Sequence, residues 1–210
     1  MNKAPLVKIC GVTDIETAQV VEQGGADFIG FVFAESKRQV TPDVAKTLIR
    51  SLETSIKTVG VFVDCPKDTV EKIASDIGLD YVQLHGSETP AELRTYHVPC
   101  IKALKLQTAD DVKQLKAYDG VCDYLLVDGA LPGSGESFDW TWLTDIDLHT
   151  PVLLAGGLTV DNLNAAKQLN NVSGFDVSSG VETEGKKNHH KITAFIDKAK
   201  GRGKHVSTTK

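Results

Sequence analysis

The chain has 210 residues, of which 41% are hydrophobic and 24% charged, so it can bury a sizeable core as one globular domain. A net charge of -5 argues against general attraction to nucleic acid or anionic membrane, and no apolar run approaches the roughly 20 residues of a membrane span. The residues from Met1 to Leu6 hold no hydrophobic signal stretch. We therefore expect a cytoplasmic protein that contacts neither nucleic acid nor membrane.

The cysteines are far apart in the sequence. They are Cys10, Cys65, Cys100 and Cys122, and none of them belongs to a C-x-x-C pair. Such spacing argues against a disulfide framework and against a zinc site. We expect reduced thiols and no bound metal.

Eight short apolar runs recur along the chain, and each is followed by a segment with helix signals. The runs are rich in Val, Ile, Leu and Phe and mostly lack polar alternation, as is typical of parallel strands covered on both faces. In chain order, the predicted strands are Leu6–Cys10, Asp27–Phe33, Lys57–Val63, Asp80–Leu84, Pro99–Leu104, Cys122–Asp128, Pro151–Ala155 and Gly174–Ser178.

Capping residues and prolines mark the helix starts between these runs. Thr13 or Asp14 can cap a first helix through residue 23, and the pairs Thr41-Pro42, Cys65-Pro66 and Thr89-Pro90 favour three more starts. The remaining helices are predicted over residues 108–118, 159–169 and 189–200. The segment 139–143 has residues for only one or two helical turns.

Eight β/α alternations in one domain, residues 1–200, predict an α/β fold of the closed (β/α)8 TIM barrel type. A doubly wound open sheet is the alternative, but it usually has fewer strands and needs a dinucleotide-type glycine-rich turn after the first strand. The segment Gly11-Val12-Thr13 is not such a turn. Residues 201–210 combine basic residues with Gly and Ser and are predicted to form a flexible tail. In a barrel, the carboxyl ends of all strands meet at one mouth, where active sites are built.

Two of these strands end on groups that can move protons, Cys10 and Asp128. A strand-end cysteine can also simply fill the core, and such an aspartate can simply form a turn. Because only about 3% of an ordinary thiol is ionised at neutral pH, a basic Cys10 needs a cation that lowers its pKa. Lys8 shares the strand face of Cys10, although it can instead close a polar barrel layer with Gln83. We expect Cys10, with a lowered pKa, to act as a base and Asp128 to donate a proton.

Glycine-rich turns follow the seventh and eighth predicted strands. Glycines let the backbone approach a ligand, and the loops after these two strands frequently hold a phosphate in this fold. The stretches Leu154–Leu158 and Asp176–Glu182 are therefore predicted to form a phosphate site.

Two further side chains are placed at the same mouth by the strand pattern. Arg38, after the second strand, offers a planar fork suited to a carboxylate, although a solvated arginine is the simpler interpretation. His85, after the fourth strand, can contact a substrate or only brace its loop.

Together these stretches closely resemble the phosphoribosylanthranilate isomerase family of tryptophan biosynthesis. The resemblance extends from Val7 to about Ala199, and the Lys-Ile-Cys-Gly run together with Ser-x-Arg is nearly diagnostic of it. The matching stretches are Lys8–Gly11, Gly30–Phe33, Ser36–Val40, Val59–Phe62, Val82–Gly86, Gly133–Trp140, Leu154–Leu158 and Asp176–Glu182.

The resemblance implies an Amadori rearrangement of a small phosphosugar, N-(5-phosphoribosyl)anthranilate, without a metal or an organic cofactor. It implies that Asp128 protonates the furanose ring oxygen, that Cys10 removes the C2′ proton, and that Arg38 holds the anthranilate carboxylate. It also implies that the phosphate is surrounded, largely through backbone N–H groups, by Gly156, Gly157, Asp176, Ser178 and Ser179. Both monomers and homodimers occur in barrels of this type, so either state is expected.

The chain departs from the family pattern at three places. Lys37 stands where proline is usual, Leu131-Pro132-Gly133 replaces a more glycine-rich segment, and Asn188 stands where an aspartate commonly begins the last helix. None of these departures changes the predicted acid or base.

Two other functions remain compatible with parts of the pattern. A histidine-pathway-type aminoaldose isomerase resembles this fold, but it uses an aspartate base on the first strand and a substrate with two phosphates. A non-catalytic phosphosugar-binding barrel would keep the glycine-rich loops, but it has no use for Cys10 opposite Asp128.

Overall fold

In a computed structural model that describes residues 4–129 and 139–202, eight parallel strands form one closed barrel in sequence order. The strands are β1 (Leu6–Cys10), β2 (Phe28–Val32), β3 (Lys57–Phe62), β4 (Tyr81–Leu84), β5 (Cys100–Lys105), β6 (Tyr124–Asp128), β7 (Val152–Ala155) and β8 (Gly174–Val177). The predicted TIM barrel is thus confirmed, and the open doubly wound sheet is not formed.

Seven helices lie between and after these strands in the described residues. They are α1 (Ile15–Gln23), α2 (Pro42–Arg50), α3 (Lys67–Ile77), α4 (Pro90–Leu93), α5 (Val112–Tyr118), α6 (Leu163–Ala166) and α7 (His189–Lys200). Short 3-10 turns cover 109–111, 140–143 and 179–181. After β8, an antiparallel hairpin of β9 (Glu182–Thr183) and β10 (Lys186–Lys187) precedes α7.

Local capping explains most helix starts. The side chain of Asp14, rather than Thr13, caps α1 by accepting a hydrogen bond from the Thr17 N–H at 2.8 Å. Thr89 and Glu92 form a reciprocal capping box on the short α4. Asn188 caps α7 by accepting from the Lys191 N–H at 3.1 Å, so asparagine serves at this position.

The sixth helix is shorter than the sequence predicts. Instead of a helix over 159–169, only Leu163–Ala166 is α-helical. The Asn162 side chain accepts a hydrogen bond from the Thr159 N–H and donates one to the Gly157 carbonyl. Because these side-chain bonds replace helical backbone bonds, they hold the start of the segment as a loop.

The period-two alternation of strand residues fills the barrel in levels. At the level near the amino ends, the rings of Phe28, Tyr81 and Tyr124 pack edge to face with centroids 5.4, 5.6 and 5.8 Å apart. This aromatic cluster seals the bottom of the barrel and leaves the polar groups at the opposite mouth.

β1 and β8 close the barrel. Their register pairs Lys8 with Asp176, two residues whose side chains are both buried inside. Strand closure therefore brings a lysine and an aspartate 168 residues apart into contact just below Cys10.

Within the described residues, no helix is long and apolar enough to cross a membrane. Gly201 ends α7 in the left-handed conformation, and Nη1 of Arg202 donates to the Gly24 carbonyl at 2.8 Å. The rest of the predicted flexible tail, the segment Leu131-Pro132-Gly133 and most of the Gly133–Trp140 stretch lie outside the described residues.

Candidate active site

A cavity of about 170 Å³ opens at the carboxyl ends of β6, β7 and β8. Six of the sequence-predicted site residues line it, namely Asp128, Gly156, Gly157, Asp176, Ser178 and Ser179. The hydroxyl of Ser178 donates to the Cys10 carbonyl at 3.1 Å, which sets the end of β1 beside this cavity. The barrel mouth thus assembles the proton-transfer candidates and the glycine-rich loops in one place.

The thiol of Cys10 is buried at the end of β1. Gly30 on the neighbouring strand leaves room for it, because a Cβ at that position would lie 3.0 Å from Sγ. Burial raises the pKa of this thiol above its ordinary value; Lys8 and Lys187 lower it, and Asp176 raises it further. The expected lowering of the Cys10 pKa is therefore wrong, because desolvation of the thiolate outweighs the nearby cations.

Lys8 lies directly below this thiol and is completely buried. Its Nζ donates to Oδ1 of Asp176 at 2.9 Å, and it also interacts with Cys10. Although burial lowers the pKa of Lys8, Asp176 and Cys10 raise it above the ordinary value, so the ammonium stays charged. Of the two alternatives for Lys8, the structure shows the cation beside the thiol, and the buried partner of Lys8 is Asp176 rather than Gln83.

Asp176 lines the cavity, but its carboxylate holds Lys8. A carboxylate repels a phosphate unless a cation neutralises it, and Lys8 supplies that cation here. The role predicted for Asp176 at the phosphate stays a prediction, and its side chain acts on Lys8 in the unliganded protein.

His85 and Asp128 face each other across the mouth, with His85 Nε2 3.6 Å from Asp128 Oδ2. Burial lowers the pKa of His85, against the opposing effect of Asp128, so the imidazole is neutral at physiological pH. The amide nitrogen of Gln83, which can only donate, lies 3.5 Å from His85 Nδ1. The Nε2 edge of the ring faces Asp128.

The glycine-rich turns approach each other closely above β7 and β8. Gly156 and Gly157 have φ of 80° and 70°, a conformation that side-chain-bearing residues rarely adopt. A Cβ on Gly180 would lie only 1.8 Å from the Leu158 carbonyl oxygen, so these two loops touch through their backbones. The arrangement suits an anion that is bound by main-chain N–H groups.

Arg38 lies apart from this cavity and lines a larger one of about 750 Å³. Its side chain crosses Gly11, where a Cβ would lie 2.5 Å from Arg38 Cδ. Nε and Nη2 of Arg38 donate to the two carboxylate oxygens of Glu182 at 2.6 and 2.8 Å. The planar fork predicted to hold a carboxylate therefore holds one from the protein's own chain.

Comparison with known proteins agrees with this geometry. A sequence model of the family described as N-(5′-phosphoribosyl)anthranilate (PRA) isomerase matches residues 7–198. An N-(5′-phosphoribosyl)anthranilate isomerase of Bacillus mycoides is 45% identical over 200 residues, which are 92% of this chain and 97% of the relative. The chain belongs to the PRA isomerase family.

Solved structures of this family share the fold. A crystal structure of PRA isomerase from Thermotoga maritima superposes with a TM-score of 0.88 at 36% identity, over 94% of this chain and 99% of the other. A second PRA isomerase structure contains reduced 1-(o-carboxyphenylamino)-1-deoxyribulose 5-phosphate; it has a TM-score of 0.82 at 34% identity, with the same coverage.

Two residues of this PRA isomerase site, Glu182 and Lys187, are not predicted from the sequence. Glu182 ends one of the stretches that carry the family resemblance, but nothing in its local pattern points to Arg38, which lies 144 residues away. Lys187 lies in β10 and bonds both Glu182 and Ser178. An acidic residue directly after a predicted phosphate loop was the one available signal, since a carboxylate there needs a cation nearby.

Proposed function

We propose that the chain converts N-(5-phosphoribosyl)anthranilate into 1-(2-carboxyphenylamino)-1-deoxyribulose 5-phosphate. The observation that carries the proposal is the placement of Cys10 and Asp128 at the ends of β1 and β6, beside a glycine-rich cavity. Membership of the PRA isomerase family supports it, as does the phosphosugar analogue bound in a family structure.

Asp128 acts first, as the proton donor. It protonates the furanose ring oxygen, the C1′–O bond breaks, and the nitrogen lone pair forms a positively charged Schiff base at C1′. The imidazole of His85, with Nε2 3.6 Å from Asp128 Oδ2, lies beside the carboxylate that this transfer leaves behind.

Cys10 acts second, as the base. When the Schiff base forms, the Cys10 thiol loses its proton to solvent. The thiolate then takes the proton from C2′, and the C–H electrons move into the Schiff base to give a neutral enolamine. Because the Schiff base is a cation, it favours the thiolate next to it by about 4 kcal/mol at 4 Å and an effective dielectric of 20. This amount lowers the thiol pKa by about three units at the step that needs the thiolate, so a raised pKa in the free protein is compatible with catalysis.

Proton return completes the isomerisation. C1′ gains a proton and the C2′ hydroxyl loses one, which gives the ketone and leaves the two protein groups as they began. The substrate and the product have the same atoms, so no oxidant or reductant takes part.

The two ends of the substrate are anchored by different loops. The phosphate is held by Gly156, Gly157, Ser178 and Ser179, and the anthranilate carboxylate by Arg38. Binding at both ends fixes C1′ and C2′ between the acid and the base, which is the positioning that such a reaction needs.

The cellular setting is part of the same proposal. The reaction belongs to tryptophan biosynthesis in the cytoplasm, where four cysteines that are all unpaired stay reduced. The partner is a small phosphosugar, and the expectation of a monomer or a homodimer stays a prediction.

The proposal is tested by making phosphoribosylanthranilate in situ and following the loss of its fluorescence. We expect rapid conversion by the wild-type chain. Asp128→Asn should lower turnover by about 10²–10⁴-fold, the usual contribution of a positioned proton-transfer group. Arg38→Ala should mainly raise KM, because its carboxylate contact is the same in the ground and transition states.

The controls separate the isomerase from its alternatives. Folded wild-type protein that binds the substrate without converting it would point to a phosphosugar-binding barrel. Faster conversion of the two-phosphate aminoaldose of histidine synthesis would point to the sister isomerase. Either result would contradict the proposal.

A further inference from the structure

We propose that Glu182 is a positioning residue that holds Arg38 in place for the substrate carboxylate, and that Lys187 locks Glu182 to the phosphate loop. This inference rests on the proposed role of Arg38. It assigns a task to the β9–β10 hairpin, which supplies both residues.

The contact between Arg38 and Glu182 is bidentate and sheltered. The side chain of Glu182 is 6% exposed and that of Arg38 is 22% exposed. Burial raises the pKa of Glu182, but the hydrogen bonds from Arg38 and Lys187 bring it below the ordinary value, so Glu182 is a carboxylate at neutral pH. A planar fork that is bonded at two points cannot rotate freely about its long side chain.

The geometry of this contact leaves one edge of the guanidinium for a ligand. Glu182 uses Nε and one N–H of Nη2, and neither N–H of Nη1 is needed for it. The Arg38 side chain also lies across Gly11, the residue directly after the proposed base Cys10. Glu182 thus sets where a substrate carboxylate binds relative to the thiol.

Lys187 connects this pair to the phosphate end. Its side chain is 4% exposed, and Nζ lies 3.1 Å from Glu182 Oε1. The same Nζ donates to the carbonyl and to the hydroxyl of Ser178 at 2.9 and 3.2 Å. The Lys187 ammonium therefore holds two groups. One is the Glu182 carboxylate, which orients Arg38, and the other is the Ser178 loop, which lines the phosphate cavity.

Charge balance supports an anionic occupant. Two cations, Arg38 and Lys187, share one carboxylate, so this buried group carries an excess of positive charge. Removing either cation, Arg38 or Lys187, therefore weakens the binding of an anion that completes the pairing. The anthranilate carboxylate has the charge and the planar shape to do so.

The experiment compares KM and kcat for wild type, Arg38→Ala, Glu182→Gln and the double variant, using two substrates. One substrate is phosphoribosylanthranilate, and the other is the same aminosugar phosphate made with aniline, which lacks the carboxylate. Glu53→Gln is the control, because it removes the same charge from an exposed position that does not line the cavity of Arg38.

We expect Glu182→Gln to raise KM for the anthranilate substrate by about tenfold and to change kcat by less than about threefold. On the aniline substrate, KM should stay near the wild-type value. In the Arg38→Ala background, Glu182→Gln should add nothing, because the two residues act through one contact. Lys187→Met should raise KM for both substrates, since it also releases Ser178.

Three outcomes would overturn the inference. If KM is raised in Arg38→Ala but stays at the wild-type value in Glu182→Gln, Glu182 does not position Arg38. The proposed function would be unaffected by that result. An equal loss on both substrates would show a general structural role. If Arg38→Ala keeps the wild-type KM, Arg38 does not bind the substrate carboxylate, and the inference about Glu182 is wrong as well. Should Glu182→Gln not fold, Glu182→Asp keeps the charge, shortens the reach and carries the same substrate-selective expectation.

Discussion

The environment of the Cys10 thiol combines two opposite electrostatic effects. Burial disfavours the thiolate, whereas Lys8 favours it, and in the unliganded protein burial is the larger effect. A base of this kind is inactive until a second cation forms beside it. The proposed Schiff base is that cation, so the thiol becomes basic only after the ring has opened.

This behaviour predicts the pH dependence of Cys10 alkylation. In the free protein, the rate with iodoacetamide should rise with a midpoint above the ordinary thiol pKa of about 8.5, because the raised pKa keeps the thiol protonated at lower pH. The alkylation rate of the Cys10→Ala variant measures the reaction of the other three cysteines, and this rate is subtracted from that of the wild type. A midpoint below about 8 would contradict the account.

Residue positions at strand ends could be predicted, but their long-range partners could not. Cys10 and Asp128 can be found because each is the last residue of an apolar strand, and the position of a strand's end is a local property of the sequence. The pairs Lys8–Asp176 and Arg38–Glu182 span 168 and 144 residues. Nothing in a single sequence sets such contacts before the barrel closes. The pKa of Cys10 was mispredicted for a related reason, since the depth of burial is not a local property.

At the scale of elements, the two glycine-rich loops form one unit because Gly180 lies against the carbonyl of Leu158. A side chain between them has no room, and the obstacle is backbone rather than a flexible side chain. The cavity that these loops line therefore depends on a contact between the connections that follow β7 and β8.

We predict that Gly180→Ala lowers the affinity for a sugar-phosphate ligand by about tenfold or more and destabilises the fold by about 1–3 kcal/mol, as overpacking does. Isothermal titration with the substrate analogue and urea unfolding measure the two effects. Gly78→Ala is the control, because its Cβ meets no atom within 4 Å although φ is 77°. That variant should lose about 1–2 kcal/mol of stability and keep its affinity. Wild-type affinity in Gly180→Ala would contradict the proposed role of this contact.

Element types could be predicted better than element lengths. The prolines and threonines that begin α2 and α4 act within one helical turn, and these helices begin where the sequence indicates. α6 is shorter than expected because the side chain of Asn162 bonds the backbone of its own loop. Periodicity describes which face is apolar, and it does not detect this competition.

At the scale of the whole molecule, the barrel depends on the pairing of its first and last strands. Lys8 and Asp176 form a buried ion pair across this seam. Removal of one member leaves the other charged and desolvated, which is more costly than replacing both with apolar side chains.

Lys8→Met should therefore destabilise the protein by about 3–5 kcal/mol in urea unfolding, and adding Asp176→Leu should restore part of that loss. Lys72→Met is the matched control, because it removes a lysine from the exposed pair with Asp76 and should leave the unfolding midpoint unchanged. Equal midpoints for Lys8→Met and wild type would show that the buried pair does not support closure.

The turnover of Cys10→Ala relative to wild type is the measurement that tests the account most directly. Both proteins are mixed with phosphoribosylanthranilate generated in situ, and the rate of fluorescence loss is compared at equal concentration, with folding verified by circular dichroism. We expect the variant to be slower by about 10²–10⁴-fold, which corresponds to roughly 3–5 kcal/mol of barrier. Wild-type-like turnover of a folded Cys10→Ala protein would contradict it, because the C2′ proton would then have another acceptor.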